Sequence, residues 1–215
     1  MSDLIVTVDG PGGTGKSSVS RELARRAGLP HLDTGAYYRA ATLAALEEGA
    51  DLDDETAVSS IVASVDFTQD DGLMYLDGRD VSAEIRRDDV TKGVSAVSAH
   101  PRVRALLVEL QRAWIRTHDG RGVVEGRDIG SVVFPDATVK VYLDASPEVR
   151  ARRRAGQSGE DIDEVLEDLN RRDRLDSTRA ASPMTVPDGA IIVDTSLLDF
   201  ETVVERLLGL LPPES

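Results

Sequence analysis

Residues 10–17 read Gly-Pro-Gly-Gly-Thr-Gly-Lys-Ser and directly follow the apolar run LIVTV at residues 4–8. This is the complete pattern of a phosphate-binding loop, G-x-x-x-x-G-K-[ST], in its usual order of strand, glycine-rich turn and helix. Glycines allow backbone N–H groups to turn toward phosphate oxygens, and a helix that begins near Lys16 directs its positive end at them. We expect Lys16 to contact the β- and γ-phosphates and the Ser17 hydroxyl to bind Mg²⁺.

The same letters allow two other interpretations of the loop. Gly10, Gly12 and Gly15 also have the spacing of a dinucleotide-binding turn, and Asp33 lies near the offset of a ribose-binding acid. A dinucleotide fold has no need of Lys-Ser directly after the last glycine, which favours the phosphate loop. The third interpretation is a turn that simply requires glycine.

Length and composition predict one soluble domain. The chain has 215 residues, 40% of them hydrophobic and 30% charged, and it contains no cysteine. A secretory leader and an apolar run long enough to span a membrane are both missing, so the expected location is the cytoplasm, away from membranes. A net charge of −14 argues against a nucleic acid polymer as partner. We expect a monomer.

Arginines are concentrated in one part of this acidic chain, which favours a small anionic ligand there. Eight of them lie at Arg150, Arg152, Arg153, Arg154, Arg171, Arg172, Arg174 and Arg179. The alternative is a solvated helix face whose arginines pair with acidic residues between 160 and 164. Arg39 and Arg127 follow two predicted strands, and ligands of open parallel sheets bind at the carboxyl ends of strands.

Apolar runs alternate with helical periodicity and predict an α/β fold, with a parallel sheet of about five strands flanked by helices. The predicted strands are residues 4–8, 29–33, 123–125, 139–144 and 190–194. The predicted helices are residues 16–27, 35–48, 53–65 and 101–118, one from 146 onward, and 200–211. Residues 83–100 are expected to form short helical pieces, and residues 157–159 a hinge.

Residues 66–82 interrupt this alternation. They contain two hairpin-turn dipeptides, Asp71-Gly72 and Asp77-Gly78, between short apolar runs. The pattern predicts a small antiparallel ribbon inserted into the main fold.

Four stretches closely resemble the bacterial cytidylate kinases, a P-loop kinase family, and the resemblance extends over essentially the whole chain. They are residues 8–17, VDGPGGTGKS; 32–39, LDTGAYYR; 124–130, VEGRDIG; and 172–179, RDRLDSTR. The resemblance implies transfer of phosphate from ATP, with Mg²⁺, to CMP or dCMP. It also implies a single domain with a core of about 1–37 and 101–215, a monophosphate-binding insertion of about 38–100 and a short helical lid of about 150–172.

The resemblance assigns roles to individual positions. The predicted ATP-binding residues are Gly10, Pro11, Gly12, Gly13, Thr14, Gly15, Lys16, Ser17, Ser18, Arg153 and Arg154. The predicted CMP-binding residues are Asp33, Thr34, Arg39, Ser95, Arg104, Arg127, Asp128, Arg172, Asp176 and Arg179. Among these, Lys16 is catalytic together with the three arginines that hold the acceptor phosphate, Arg39, Arg127 and Arg179.

The chemistry of cytosine agrees with these roles. Cytosine presents an amino donor at N4 and acceptors at N3 and O2, which a carboxylate and a guanidinium complement. Thr34, Arg104 and Asp128 are expected near the base, and Ser95, Arg172 and Asp176 near the sugar. Asp128 could instead pair with Arg127, and Arg104 could lie on the surface.

Some assignments stay open at this point. Asp33 either orients an arginine or a magnesium-bound water, or only caps a helix, and Glu125 is a candidate for binding Mg²⁺ through water. The three histidines are expected to be bystanders. Alternative functions are a kinase for UMP, dTMP or shikimate, a non-catalytic nucleotide-binding regulator, and a dinucleotide-dependent oxidoreductase.

Overall fold

The computed structural model describes residues 3–179 and 181–213, and its elements alternate as predicted. The strands are β1 (Leu4–Asp9), β2 (His31–Asp33), β3 (Phe67–Asp70), β4 (Leu73–Leu76), β5 (Arg79–Asp80), β6 (Arg121–Glu125), β7 (Val139–Asp144) and β8 (Ile191–Asp194). The helices are α1 (Lys16–Arg26), α2 (Thr34–Glu47), α3 (Glu55–Ser64), α4 (Asp88–Ala99), α5 (Pro101–Thr117), α6 (Pro147–Ser158), α7 (Ile162–Thr178) and α8 (Phe200–Leu208). Within the described ranges, no helix combines the length and apolar character needed to cross a membrane.

The main sheet has five strands in the order β2-β6-β1-β7-β8, which confirms the predicted α/β class. β1 pairs in parallel with both β6 and β7, and β7 pairs in parallel with β8. A strand between two neighbours in a parallel sheet is covered on both faces, which explains why β1 is apolar at Leu4, Ile5, Val6 and Val8.

The chain divides into two compact units. The first unit comprises the residues up to His31 and those from His118 onward, and the second unit comprises Leu32–Thr117. The predicted division into core, insertion and lid follows different boundaries and stays a prediction.

The core of the first unit joins the sheet to α1 and α8. Val6 and Val8 of β1 are completely buried, and Leu23 of α1 and Val204 of α8 pack in the same cluster. The parallel register places Val8 beside Glu125 and Asp9 beside Tyr142. Parallel strands have their carboxyl ends at the same end of the sheet. Residues 9–17 and Glu125 therefore lie at that end.

The second unit contains the predicted antiparallel ribbon, formed by β3, β4 and β5. Asp71 and Asp77 adopt positive φ angles of 44° and 48°, directly before the glycines of the two predicted turns. Residues 83–100 differ from the expectation of short helical pieces. They form one 3₁₀ turn, Glu84–Arg86, and the twelve-residue α4, because Val90 and Val97 are buried on one helical face.

The predicted hinge at residues 157–159 lies where two helices meet. The α6 helix continues to Ser158 and ends at Gly159, whose φ of 76° is the left-handed conformation typical of a helix end. Asp161 then caps α7 by accepting hydrogen bonds from the next backbone N–H groups.

One glutamine ties the ribbon to the start of α2. The Gln69 Oε1 atom accepts a hydrogen bond from the Asp33 N–H at 2.8 Å, and its Nε2 donates to the Asp33 carbonyl at 3.2 Å. The indole Nε1 of Trp114 on α5 donates to the Gln69 carbonyl at 3.1 Å. Gln69 is therefore the point at which β3, α2 and α5 are joined by hydrogen bonds.

We expect Gln69→Leu to lower the free energy of unfolding by about 1–3 kcal/mol, because it removes both hydrogen bonds that the Gln69 side chain makes with the Asp33 backbone. Urea denaturation measures the change. The control is Thr68→Val, which alters the neighbouring exposed position of β3. Equal stability losses for the two variants would contradict this role of Gln69.

Candidate active site

The phosphate-binding loop leaves β1 through a glycine that no other residue can replace without strain. Gly10 has a φ of 139°, and a Cβ atom built on it would lie 2.0 Å from the Leu143 carbonyl oxygen. Gly13 has a φ of 80°, and a Cβ there would meet Arg150 at 3.0 Å. The loop backbone therefore packs directly against β7 and α6, which fixes the position of the loop at the sheet edge.

Lys16 begins α1 and lies largely buried, with 8% of its surface exposed. Its Nζ atom donates to the Pro11 carbonyl within the loop at 2.8 Å. Burial lowers the pKa of the Lys16 ammonium to about 7, and the nearby positive charge of Arg127 acts in the same direction. An anionic ligand in this loop would favour the charged form and reverse that shift.

Ser17 contacts a carboxylate from the adjacent strand. Its hydroxyl donates to Glu125 Oε2 at 2.8 Å, and His31 Nε2 lies 3.2 Å from the other carboxylate oxygen, Oε1. Sequence reasoning left His31 as a bystander, whereas the structure places it against Glu125. Hydroxyl and carboxylate oxygens are the donors that Mg²⁺ prefers, so this pair fits the predicted metal role of Ser17.

The structure brings together four of the predicted acceptor-binding residues in the first unit, which we call the acceptor network: Arg127, Asp128, Asp176 and Arg179. The Arg127 guanidinium donates to Asp176 Oδ2 at 2.9 Å and to the Gly10 carbonyl at 2.8 Å. Arg179 lies 3.4 Å from Asp128 and 3.7 Å from Asp176. A chain of alternating positive and negative side chains therefore connects Gly10, at the start of the loop, with residues at the end of α7.

Burial and neighbouring charges have opposite effects on the arginines of the acceptor network. Burial alone would lower the pKa of Arg127, but the nearby carboxylates of Asp176, Asp173 and Glu125 together outweigh this effect and raise the pKa. Asp128 and Arg179 are both nearly inaccessible to solvent. An incoming phosphate would compete with carboxylates for the arginines.

The arginines of α6 and α7 differ widely in their surroundings. Arg153 donates to the hydroxyl and carbonyl of Thr195 at 2.9 and 2.6 Å and to the Thr14 carbonyl at 3.3 Å, whereas Arg154 is exposed. Arg172 pairs with Asp168 at 2.8 Å, and burial lowers the pKa of its guanidinium.

Arg150 is a loop-supporting residue that sequence reasoning did not single out. It is buried and donates to the Gly12 carbonyl at 3.1 Å, to the Ala145 carbonyl at 3.1 Å and to Asp173 at 2.6 Å. In the sequence it is one of eight clustered arginines, and nothing local separates it from its exposed neighbours.

The remaining predicted acceptor residues belong to the second unit. Asp33 accepts a hydrogen bond from the Ala36 N–H at 3.3 Å and so caps α2, while the adjacent Thr34 is buried. Arg39 donates to the Thr91 hydroxyl at 2.8 Å. Ser95 lies half-buried on α4.

Arg104 is not on the surface, which was the alternative that the sequence left open. It is 3% exposed, its guanidinium lies 5.3 Å from the centre of the Tyr38 ring, and it donates to the Ser98 carbonyl at 3.3 Å. The ring and the carbonyl restrict the orientation of this buried guanidinium.

Asp9 is a second residue that sequence reasoning missed. Its carboxylate is completely buried and accepts hydrogen bonds from the N–H groups of Ile129 and Gly130 at 2.7 and 2.8 Å. Burial raises the pKa of the Asp9 carboxyl to about 6, although the two hydrogen bonds oppose the shift. The only sequence signal is a carboxylate at the end of an apolar strand.

The chain is similar to known proteins over its whole length. The sequence model described as Cytidylate kinase matches residues 6–212. The chain is 53% identical to the cytidylate kinase of Mycobacterium leprae (strain Br4923), over 100% of this chain and 98% of that protein. It is 55% identical to the cytidylate kinase of Rhodococcus opacus (strain B4), over 96% of this chain and 94% of that protein.

Solved structures agree at the level of the fold alone. The crystal structure of a sugar kinase from Janibacter sp. HTCC2649 matches with a TM-score of 0.51 at 16% identity, over 97% of this chain and 94% of that chain.

We expect the low pKa of Lys16 to make stability depend on pH. Between about pH 7 and 10 the unfolded chain binds one proton more at this lysine than the folded chain, so stability rises with pH in that window. Relative to Lys16→Met, the wild type should gain about 2 kcal/mol of unfolding free energy between pH 7 and 9.

Urea denaturation at a series of pH values measures this difference. The control is Lys92→Met, at an exposed lysine of α4, which should follow the wild type at every pH. A constant difference between the wild type and Lys16→Met across the series would show that Lys16 titrates normally.

Proposed function

Because the chain belongs to the cytidylate kinase family, we propose that it transfers the γ-phosphoryl group of ATP to CMP and dCMP, forming ADP and CDP or dCDP. The observation that supports this most directly is the acceptor network, which is joined to the phosphate-binding loop through the hydrogen bond from Arg127 to Gly10. A hydrolase or a binding protein does not need arginines for a second phosphorylated substrate beside this loop.

The donor nucleotide is assigned to the loop residues 10–18. Their backbone N–H groups, of which Pro11 has none, would surround the phosphates, and Lys16 would contact the β- and γ-phosphates. Arg153 and Arg154 of α6 would add positive charge near ATP. Ser17 would hold Mg²⁺, with Glu125 acting on it through water, and the metal when bound neutralises charge on the phosphates.

The acceptor phosphate is assigned to Arg39, Arg127 and Arg179. Guanidinium groups bind phosphate through two parallel hydrogen bonds and remain charged at every physiological pH. In the structure Arg127 and Arg179 already contact carboxylates of the acceptor network. These carboxylates hold the two guanidinium groups in place.

The cytosine ring is assigned to Thr34, Arg104 and Asp128, and the sugar to Ser95, Arg172 and Asp176. The Asp128 carboxylate can accept a hydrogen bond from the cytosine N4 amino group. Uracil would place its O4 acceptor against the same carboxylate, and an unpaired buried polar group costs about 1–3 kcal/mol. Asp33 would act mainly by capping α2, which carries Thr34 and Arg39.

The reaction needs alignment more than acid–base chemistry. The phosphate oxygen of CMP is already a nucleophile at neutral pH, so no strong general base is required. Lys16 and the three acceptor arginines would stabilise negative charge on the phosphoryl group during in-line transfer. We further propose that residues 38–100 form a monophosphate-binding insertion and that residues 150–172 form a lid which excludes water.

A panel of acceptors assayed with ATP and Mg²⁺ tests this function. CMP and dCMP should have kcat/KM values at least about tenfold above UMP, dTMP and shikimate. Equal turnover of CMP and UMP would refute base recognition by Asp128. A lack of turnover with every acceptor would favour a non-catalytic nucleotide-binding regulator. Cytoplasmic location and a monomeric state stay predictions.

We expect Asp128→Ala to raise the KM for CMP by about 10- to 100-fold with a much smaller effect on the KM for ATP, because the variant leaves the cytosine amino group without its acceptor. Steady-state kinetics with each substrate varied in turn measure both constants. Asp136→Ala, at an exposed aspartate in the following loop, serves as control. Equal effects on CMP and ATP would argue against a base-reading role.

A further inference from the structure

The end of β1 holds the backbone that presents Arg127 and Asp128. The Asp9 carboxylate, which has no solvent exposure, accepts hydrogen bonds from two consecutive N–H groups, at Ile129 and Gly130. These residues begin a single π-helical turn, Ile129–Val133, directly after Asp128. Asp9 and Ile129 are 120 positions apart in the sequence, so this is a tertiary contact.

A carboxylate suits this position better than any other side chain. Each of its oxygens faces one N–H donor, and an ionised carboxylate has acceptors only. An asparagine of the same shape would turn an NH₂ group toward one of the two donors. Burying a carboxylate is costly unless its hydrogen bonds are made, so these two hydrogen bonds specify the position of the turn.

A second contact, made by the next residue of the chain, acts on the same segment. The Gly10 carbonyl accepts the hydrogen bond from Arg127 at 2.8 Å. A Cβ atom on Gly130 would lie 2.8 Å from the Thr7 Oγ1 atom, so the turn also packs closely on β1. Asp9 and Gly10 therefore hold residues 127–130 at the point where the phosphate-binding loop begins.

We propose that Asp9 is a positioning residue for the transfer reaction. It fixes Arg127 and Asp128, which are assigned to the acceptor, relative to the loop that is assigned to ATP. This inference rests on the proposed function, because it concerns the placement of CMP against the donor. Asp9 itself touches neither nucleotide and acts through the backbone of residues 128–130.

Asp9→Asn in the full-length chain tests the proposal, because the substitution preserves shape and removes one acceptor. We expect kcat/KM for CMP to fall about 10- to 100-fold, as for a small misplacement of reacting groups. The Kd for ATP, measured by calorimetry, should change less than about threefold, because the loop amides remain in place. Amide hydrogen exchange at Ile129 and Gly130 should become faster.

The matched control is Asp194→Asn, at the end of β8. That carboxylate is exposed and accepts a hydrogen bond from the Ser196 N–H at 2.8 Å. It should leave both the kinetic constants and the exchange at residues 129 and 130 unchanged.

Several outcomes would overturn the proposal. One is an unchanged kcat/KM for CMP in Asp9→Asn. Another is a loss of CMP turnover and of ATP affinity to the same extent, together with a loss of stability. If Asp9→Asn does not fold, Asp9→Ala, which removes both acceptors without turning a donor toward the two N–H groups, replaces it with the same expected selectivity. If neither variant folds, Asp9 is a requirement of the fold and the positioning role is wrong. If the wild type does not phosphorylate CMP, the proposed function is wrong instead. Hydrogen exchange at Ile129 and Gly130 would still test whether Asp9 stabilises the turn.

Discussion

The site depends on the close approach of two backbones at the end of β1. Gly10 lies so near the Leu143 carbonyl that no side chain fits between them, and this contact fixes the start of the phosphate-binding loop on the sheet. The Gly10 carbonyl then receives the Arg127 guanidinium, while the preceding Asp9 holds the backbone of residues 129 and 130. The end of β1 therefore positions both the loop and the acceptor network.

Burial of charge is the cost of this arrangement. Desolvation lowers the pKa of Lys16 to about 7 and raises the pKa of Asp9 to about 6, so each charged form is destabilised in the protein. In a chain with a net charge of −14, the cations near the loop are held by carboxylates and backbone carbonyls. In the proposed reaction, the phosphate groups of the nucleotides would compete with these partners for the cations.

The predictions from sequence were most accurate where the signal was local. The phosphate-binding loop, the strands of the main sheet and the turns at Asp71 and Asp77 depend on neighbouring residues, and all were confirmed. The prediction for residues 83–100 was less accurate, because small side chains weaken the apolar periodicity of α4. Roles of individual site residues came mainly from resemblance to a family and stay predictions. The structure shows that Arg127, Asp128, Asp176 and Arg179 form one network of ion pairs.

The sequence by itself determined the phosphate-binding loop motif, since its glycines, Lys16 and Ser17 lie within one short stretch of chain. It also determined the α/β class, because apolar periodicity is a property of short segments. Only the tertiary structure decided that Asp9 holds the turn after Asp128, that Arg150 supports Gly12 and that His31 lies against Glu125. Each of these contacts joins residues at least 94 positions apart, and the identity of a partner at that distance is set by strand order and register, which no local pattern encodes.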